Sequence, residues 1–272
     1  MNEKLLHKTL DELGRKSPRM RDLQALVCLG KSHAEAFKAL GGRLKQVPGQ
    51  DGSASLEEIF QGMGEGLFLD AFSRADWMVL SGKSGLDALS NWGHVLLEKV
   101  LPNMFPRDTR HFLIDLSEAG EKDMAALPAS LEVARRLQSH GEATAGFSAS
   151  TLAIAKENLN GEASGNTGRD LPRVREGVGV SACTLFSEKV CGCATREDSE
   201  IHDFTGGKSM KDPASVRTAF STAYAAAALL GISQECQFPL AIAAVECHIT
   251  KKSNPSWVEI DENIRQKLLK ND

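Results

Sequence analysis

No apolar run in the sequence reaches the roughly 18 to 20 residues needed to cross a bilayer. The opening MNEKLLHKTLDELGRK has the spacing of an amphipathic helix and lacks the apolar core of a signal peptide. Together these absences predict a cytoplasmic protein with no membrane partner. Basic charge is not in excess either: 32 Lys and Arg stand against 36 Asp and Glu, giving a net charge of -4 and a pI near 6.0. This balance excludes the electrostatic footprint of a nucleic-acid binder, and the local cluster from Arg15 to Arg21 reads as a solvated segment. Three chemical signatures are also missing. There is no G-x-x-x-x-G-K-[ST] phosphate loop, no G-x-G-x-x-G fingerprint opening a helix after a strand, and no G-x-S-x-G elbow. The six cysteines (Cys28, Cys183, Cys191, Cys193, Cys236 and Cys247) do not assemble a zinc set. Only Cys191 and Cys193 are close, and a C-x-C pair in an alternating segment points both sulfurs to one face of a strand. Buried free thiols are the expectation, and no metal. His248, beside Cys247 in an apolar helix, reads as a core histidine.

What is present begins with Asp212 to Gly231, DPASVRTAFSTAYAAAALLG. Asp212 can cap, Pro213 sits where a first-turn proline is tolerated, small and apolar residues follow, and Gly231 stops the run. A helix with such a surface on every side is packed closely all round, which places it inside a layered domain. Two readings of its start stand side by side. One is a core helix with an ordinary cap; the other is an anion site at the helix N-terminus, lined by Ser215, Arg217 and Thr218, with Lys208 or Lys211 adding charge.

The remainder of the 272 residues, 42% hydrophobic, alternates between short apolar runs and helical patterns. Strands are predicted at Leu23 to Gly30, Ala75 to Gly82, Arg110 to Ser117 and over EATAGF. Helices are predicted at His33 to Leu44, from Ser55 with an Ser55–Glu58 capping box, and at Leu86 to Leu101, Glu121 to His140 and Ala149 to Leu159. A flexible stretch, NGEASGNTGRD, follows. VGVSACTLF and KVCGCATRE, separated by Ser187 and Glu188, read as an antiparallel meander continued by Ile201 to Phe204. Helices at Ser233 to Thr250 and Ser256 to Leu269 close the chain. Continuous apolar strands joined by helices predict an α/β fold, a three-layer α/β/α sandwich with a mostly parallel sheet that turns antiparallel late. Open sheets of this kind bind ligands beyond the carboxyl ends of their strands. That rule nominates the loops after Leu80, Leu116 and Phe147 and before Pro213. Asp115 is the best-placed carboxylate, read either as a site residue or as a cap for the next helix.

From about Ser55 onward the order of segments resembles the ribokinase-like (PfkB) carbohydrate kinases. The likeness is carried by ADWMVLSG, by HFLIDLSEAGEKD after LLEKVLP, and by ATAGFSASTLAIAKENL. It continues through VGVSACTLFSEKVCGCATREDSEIHDFTG, the alanine-rich helix and LGISQECQFPLAIAAVECHITKKSNPSW. The resemblance implies one ribokinase-like domain over 1–272, with a divergent or truncated region at 1–54 and a kinase-like core at 55–272. It also implies ATP and magnesium as cofactors, and a nucleotide or sugar phosphate as ligand. The departures fall on the chemistry. In the family a glycine-rich loop ending in Asp opens the long helix, and its glycines let the backbone approach phosphate while the Asp takes the proton from a sugar hydroxyl. Here Ser215, Val216, Arg217 and Thr218 occupy those places, and using Asp212 instead puts it nearly two turns early, ahead of a proline. The family's N-x-x-E falls on Ser148 to Thr151, without amide or carboxylate. Residues 1–54 leave no room for the sugar-binding lid.

Three functions follow from these observations. The first is a degenerate kinase homologue that retains nucleotide or phosphate binding through Ser215, Arg217, Thr218, Lys211, Ser148 and Thr195. The second is an active ATP-dependent sugar kinase with relocated residues, Asp115 and Asp212 being the candidates. The third is a non-catalytic structural or interaction subunit whose exposed sheet edge is covered by self-association or by a protein partner.

Overall fold

The computed structural model describes residues 2–27, 30–46, 56–104, 109–159, 166–204 and 212–271. The amphipathic opening forms α1 (Glu3–Lys16), whose Asn2 side chain accepts from the amide of Lys4. Next come β1 (Gln24–Val27), α2 (Lys31–Ala39) and β2 (Arg43–Gln46). The helix predicted to run to Leu44 therefore stops at Ala39. Gly41, at φ 92°, takes a conformation that L side chains rarely adopt, and the chain turns there into RLKQ as a strand. The helix expected to open at Ser55 is likewise two, α3 (Leu56–Met63) and α4 (Glu65–Arg74), broken at Gly64 with φ 79°. The capping residue Ser55 and the thiol Cys28 lie outside the described residues.

The chain continues through β3 (Trp77–Ser81), α5 (Leu86–Val95), β4 (His111–Asp115), α6 (Leu127–Leu137), β5 (Glu142–Phe147) and α7 (Ala149–Asn158). The expected helix Leu86 to Leu101 is α-helical only to Val95 and then winds into a π turn over Leu96–Val100. That expected at Glu121 to His140 has 3-10 turns at both ends. Helix α8 (Thr167–Val178) occupies part of the stretch read as flexible. The meander is β6 (Ala182–Phe186), β7 (Val190–Ala194) and β8 (Ser199–Asp203), and the closing helices are α9 (Pro213–Leu229), α10 (Gln234–Lys251) and α11 (Trp257–Asn271).

The eight strands run in the order β2-β1-β3-β4-β5-β6-β7-β8. Pairing is parallel from β1 to β6 and antiparallel from β6 to β8, as the sequence predicts. All five residues of β3 and of β6 are buried, the pattern of strands covered on both faces. The chain divides into two compact units. One comprises residues 25–31 and 45–205 and holds most of the sheet, with a core that includes Phe68, Phe72, Met78, Ile114 and Phe147. The other comprises 1–24, 32–44 and 206–272 and is mainly helical, with α9 and α10 joined by an edge-to-face contact of Phe220 and Phe238 whose centroids are 6.0 Å apart. Five of the cysteines are described, and all five are buried.

Candidate functional site

In the helical unit, the start of α9 is built as its sequence dictates. The Asp212 carboxylate accepts from the Ser215 amide at 3.2 Å, and the Asp212 carbonyl accepts from Val216 N–H at 3.2 Å. Pro213 has no N–H to offer. The donors that make a helix start attractive to an anion are thus partly spent on the cap, whose carboxylate already meets the positive end of the dipole. Arg217, the fifth residue of α9, is half-buried. Thr218, at the position where the resemblance puts a catalytic Asp, is 2% exposed, and its hydroxyl donates to the Ala214 carbonyl at 3.1 Å. It is a buried, back-bonded threonine with no carboxylate to serve as a base.

Ser215 is half-buried, and its Oγ lies 2.9 Å from Nε2 of His248. His248 is buried, as expected of a core histidine, yet it reaches the first turn of α9 from α10. Burial lowers its pKa below the ordinary histidine value, and the nearby Asp212 carboxylate offsets this only in part. The pairing spans 33 residues and carries no local spacing signal, so sequence reasoning had no means to find it.

In the sheet unit, the carboxyl ends of three parallel strands are level, with Ser81, Asp115 and Gly146 aligned across β3, β4 and β5. Asp115 is 1% exposed. Its Oδ1 accepts from the Ser117 amide at 3.0 Å and from the Ser117 hydroxyl, closing a tight turn. A side chain on Gly146 would start 3.2 Å from that oxygen, so the carboxylate is seated on bare backbone. Asp115 shapes the loop after β4 and caps neither the turn that opens at Glu121 nor α6, which have Gly120 and Ala126 at their starts.

Ser148 opens α7 with a reciprocal cap: Thr151 N–H donates to Ser148 Oγ at 3.2 Å, and Ser148 N–H to Thr151 Oγ1 at 2.8 Å. The hydroxyls that stand at the N-x-x-E position therefore bond each other and the backbone. Magnesium prefers carboxylates and waters, and this pair does not fit it. Among the described residues no group of three or more His, Cys, Asp or Glu is placed to hold a metal ion. Thr195 forms the β7–β8 turn, its Oγ1 accepting from the amides of Glu197 and Asp198. Lys208 and Lys211 lie outside the described residues. The structure thus gathers Asp212, Ser215, Arg217 and Thr218 at one helix start, and Asp115, Ser148 and Thr195 on loops of the sheet unit.

No family model and no curated protein matches the sequence. Solved structures do match. The hydroxyethylthiazole kinase protein from Pyrococcus horikoshii is 12% identical, with a TM-score of 0.60 over 97% of this chain and 96% of that one. The pyridoxal kinase from Entamoeba histolytica is 11% identical, with a TM-score of 0.56 over 89% and 94%. The ribokinase from Thermotoga maritima is 12% identical, with a TM-score of 0.55 over 87% and 86%. Other matches are longer: this chain spans 60% of a candidate ribokinase II from E. coli and 58% of the Arabidopsis thaliana ribokinase complexed with ribose and ATP. The similarity establishes the ribokinase-like α/β fold. Among the described residues, no helix is long and apolar enough to cross a membrane.

Proposed function

We propose that this protein is a ribokinase-fold binding protein that holds a nucleotide or phosphate ester and has lost efficient phosphoryl transfer. One observation carries the reading: the residue at the catalytic-base position, Thr218, is buried with its hydroxyl committed to the Ala214 carbonyl. Removing a general base costs about 100- to 10,000-fold in rate, and no other carboxylate stands in the first turn of α9 after its cap. The Ser148–Thr151 pair removes a second requirement, since it offers no carboxylate to organise magnesium. What supports retained binding is Arg217, a planar guanidinium suited to phosphate, at the start of a 17-residue helix in a fold whose solved relatives include one bound to ATP. The test is ADP release from magnesium-ATP across a panel of sugars, hydroxymethyl heterocycles and vitamin alcohols. The reading expects no acceptor to raise the rate above the buffer blank. Acceptor-dependent turnover that survives Thr218→Ala would overturn it in favour of a kinase with relocated residues.

A second reading, a non-catalytic interaction subunit, is favoured by the Asp212 cap, which already occupies the helix start, and by β8, the last strand of the sheet, where Ile201 is 37% exposed. Under that reading ATP does not bind and the sedimentation mass rises with concentration.

A further inference from the structure

The kinase-like reading makes no use of the hydrogen-bonded Ser215–His248 pair. We propose that Ser215 is a nucleophilic serine with His248 as its general base, able to take an acyl group from an activated carboxylic ester.

The geometry is that of an activated hydroxyl. Ser215 Oγ and His248 Nε2 are 2.9 Å apart, within the range over which a proton passes directly between nucleophile and base. Ser215 is half-buried, whereas His248 is 7% exposed, so the serine is the more accessible member of the pair. Burial favours the neutral ring, the form that accepts a proton. Among the described residues no third member of a serine triad is in place: Nδ1 of His248 is buried with no hydrogen-bond partner, so no carboxylate orients the ring through that nitrogen, and Asp212 favours the imidazolium only by its nearby charge. Asp212 lies on the serine side of the pair, where it holds the Ser215 amide. That amide and the Val216 amide are both committed to Asp212, and they give an oxyanion little help. The pair is therefore expected to acylate once and to release the acyl group slowly.

In the step itself, Ser215 Oγ attacks the ester carbonyl while its proton passes to His248 Nε2. The tetrahedral intermediate collapses, the bond from carbonyl carbon to the leaving oxygen breaks, and the leaving group either takes the proton back from His248 Nε2 and departs as the alcohol or departs as a phenolate while His248 gives its proton to solvent. An ester on Ser215 remains, and water later hydrolyses it. This reactivity does not depend on nucleotide binding, so either can fail alone.

The experiment follows p-nitrophenyl acetate with the full chain at micromolar protein, read by stopped-flow absorbance and by intact and peptide mass. The inference expects a burst of about one equivalent of p-nitrophenolate, an acetyl group mapped to Ser215, loss of both in Ser215→Ala, and a burst at least about 100-fold slower in His248→Gln. Circular dichroism of both variants confirms that they fold. Acetyl groups found only on lysines, or a Ser215 burst whose rate His248→Gln leaves unchanged, would each overturn it.

Discussion

Glu12 shows how much a single side chain of the N-terminal helix does for the helical unit. It sits on α1, 7% exposed, and its two oxygens accept from the Ser233 hydroxyl at 2.5 Å, the Ser233 amide at 2.8 Å and the Lys16 ammonium at 2.8 Å. Lys16 also donates to the Gly231 carbonyl. One carboxylate thus caps the start of α10 from another helix and ties down the α9–α10 turn. Burial alone would raise its pKa, but the Lys16 and Ser233 donors outweigh that and bring it down to about 2 from 4.5. A depressed carboxyl contributes stability that is present above the unfolded value and lost as pH falls from about 4.5 towards 2. The contribution near neutrality is on the order of 3 kcal/mol. Glu12→Gln should therefore lower the urea midpoint clearly at pH 7 and much less at pH 3; a gap of the same size at both would show that the ion pair is not its source. The tie from α1 to Ser233 was not legible in the sequence, because Glu12 and Ser233 are 221 residues apart. The Asp212 cap was legible, because cap, proline and helix are contiguous.

Among the elements, legibility followed the strength of the local pattern. Buried strands such as WMVLS and ACTLF announced themselves as short apolar runs, and the α9 run was long with few interruptions. Strand β2 did not, because RLKQ carries two cations and one apolar residue and owes its conformation to the turn at Gly41 and to the bond from Arg43 N–H to the Leu23 carbonyl. Helix α8 was hidden by Gly168 and Pro172, both poor helix residues, and is held from outside by the buried Lys156–Asp170 ion pair at 2.7 Å across α7 and α8. Two glycines test this dependence on neighbours. At Gly93 on α5, an added Cβ would lie 2.2 Å from Val133 Cγ1 on α6, so Gly93→Ala should cost about 1 to 3 kcal/mol by overpacking. At exposed Gly14 on α1, nothing lies within 4 Å, and Gly14→Ala should gain about 0.5 to 1 kcal/mol from backbone entropy alone. Urea unfolding measures both, and equal effects of one sign would contradict the packing described for α5 and α6.

At the scale of the whole molecule, the architecture and the chemistry part company. The strand order, the late antiparallel turn and the long apolar helix belong to the ribokinase-like fold, and the sequence order alone pointed there. The candidate site was legible only as a set of departures: Thr218 for a base, Ser148 and Thr151 for amide and carboxylate. The structure adds what became of those positions, since each hydroxyl is absorbed into a helix start by its own backbone. What the sequence could not reveal is the pair that crosses from α9 to α10, Ser215 with His248. Binding without transfer is the central claim, and isothermal titration with ATP, with and without magnesium, on the native chain and on Arg217→Ala, tests it most directly. The account predicts micromolar binding that changes little with magnesium and weakens at least about 10-fold in the variant, the equivalent of roughly 1.4 kcal/mol from a charge-assisted phosphate contact. No detectable heat with either protein would contradict it and leave an interaction subunit on a kinase scaffold.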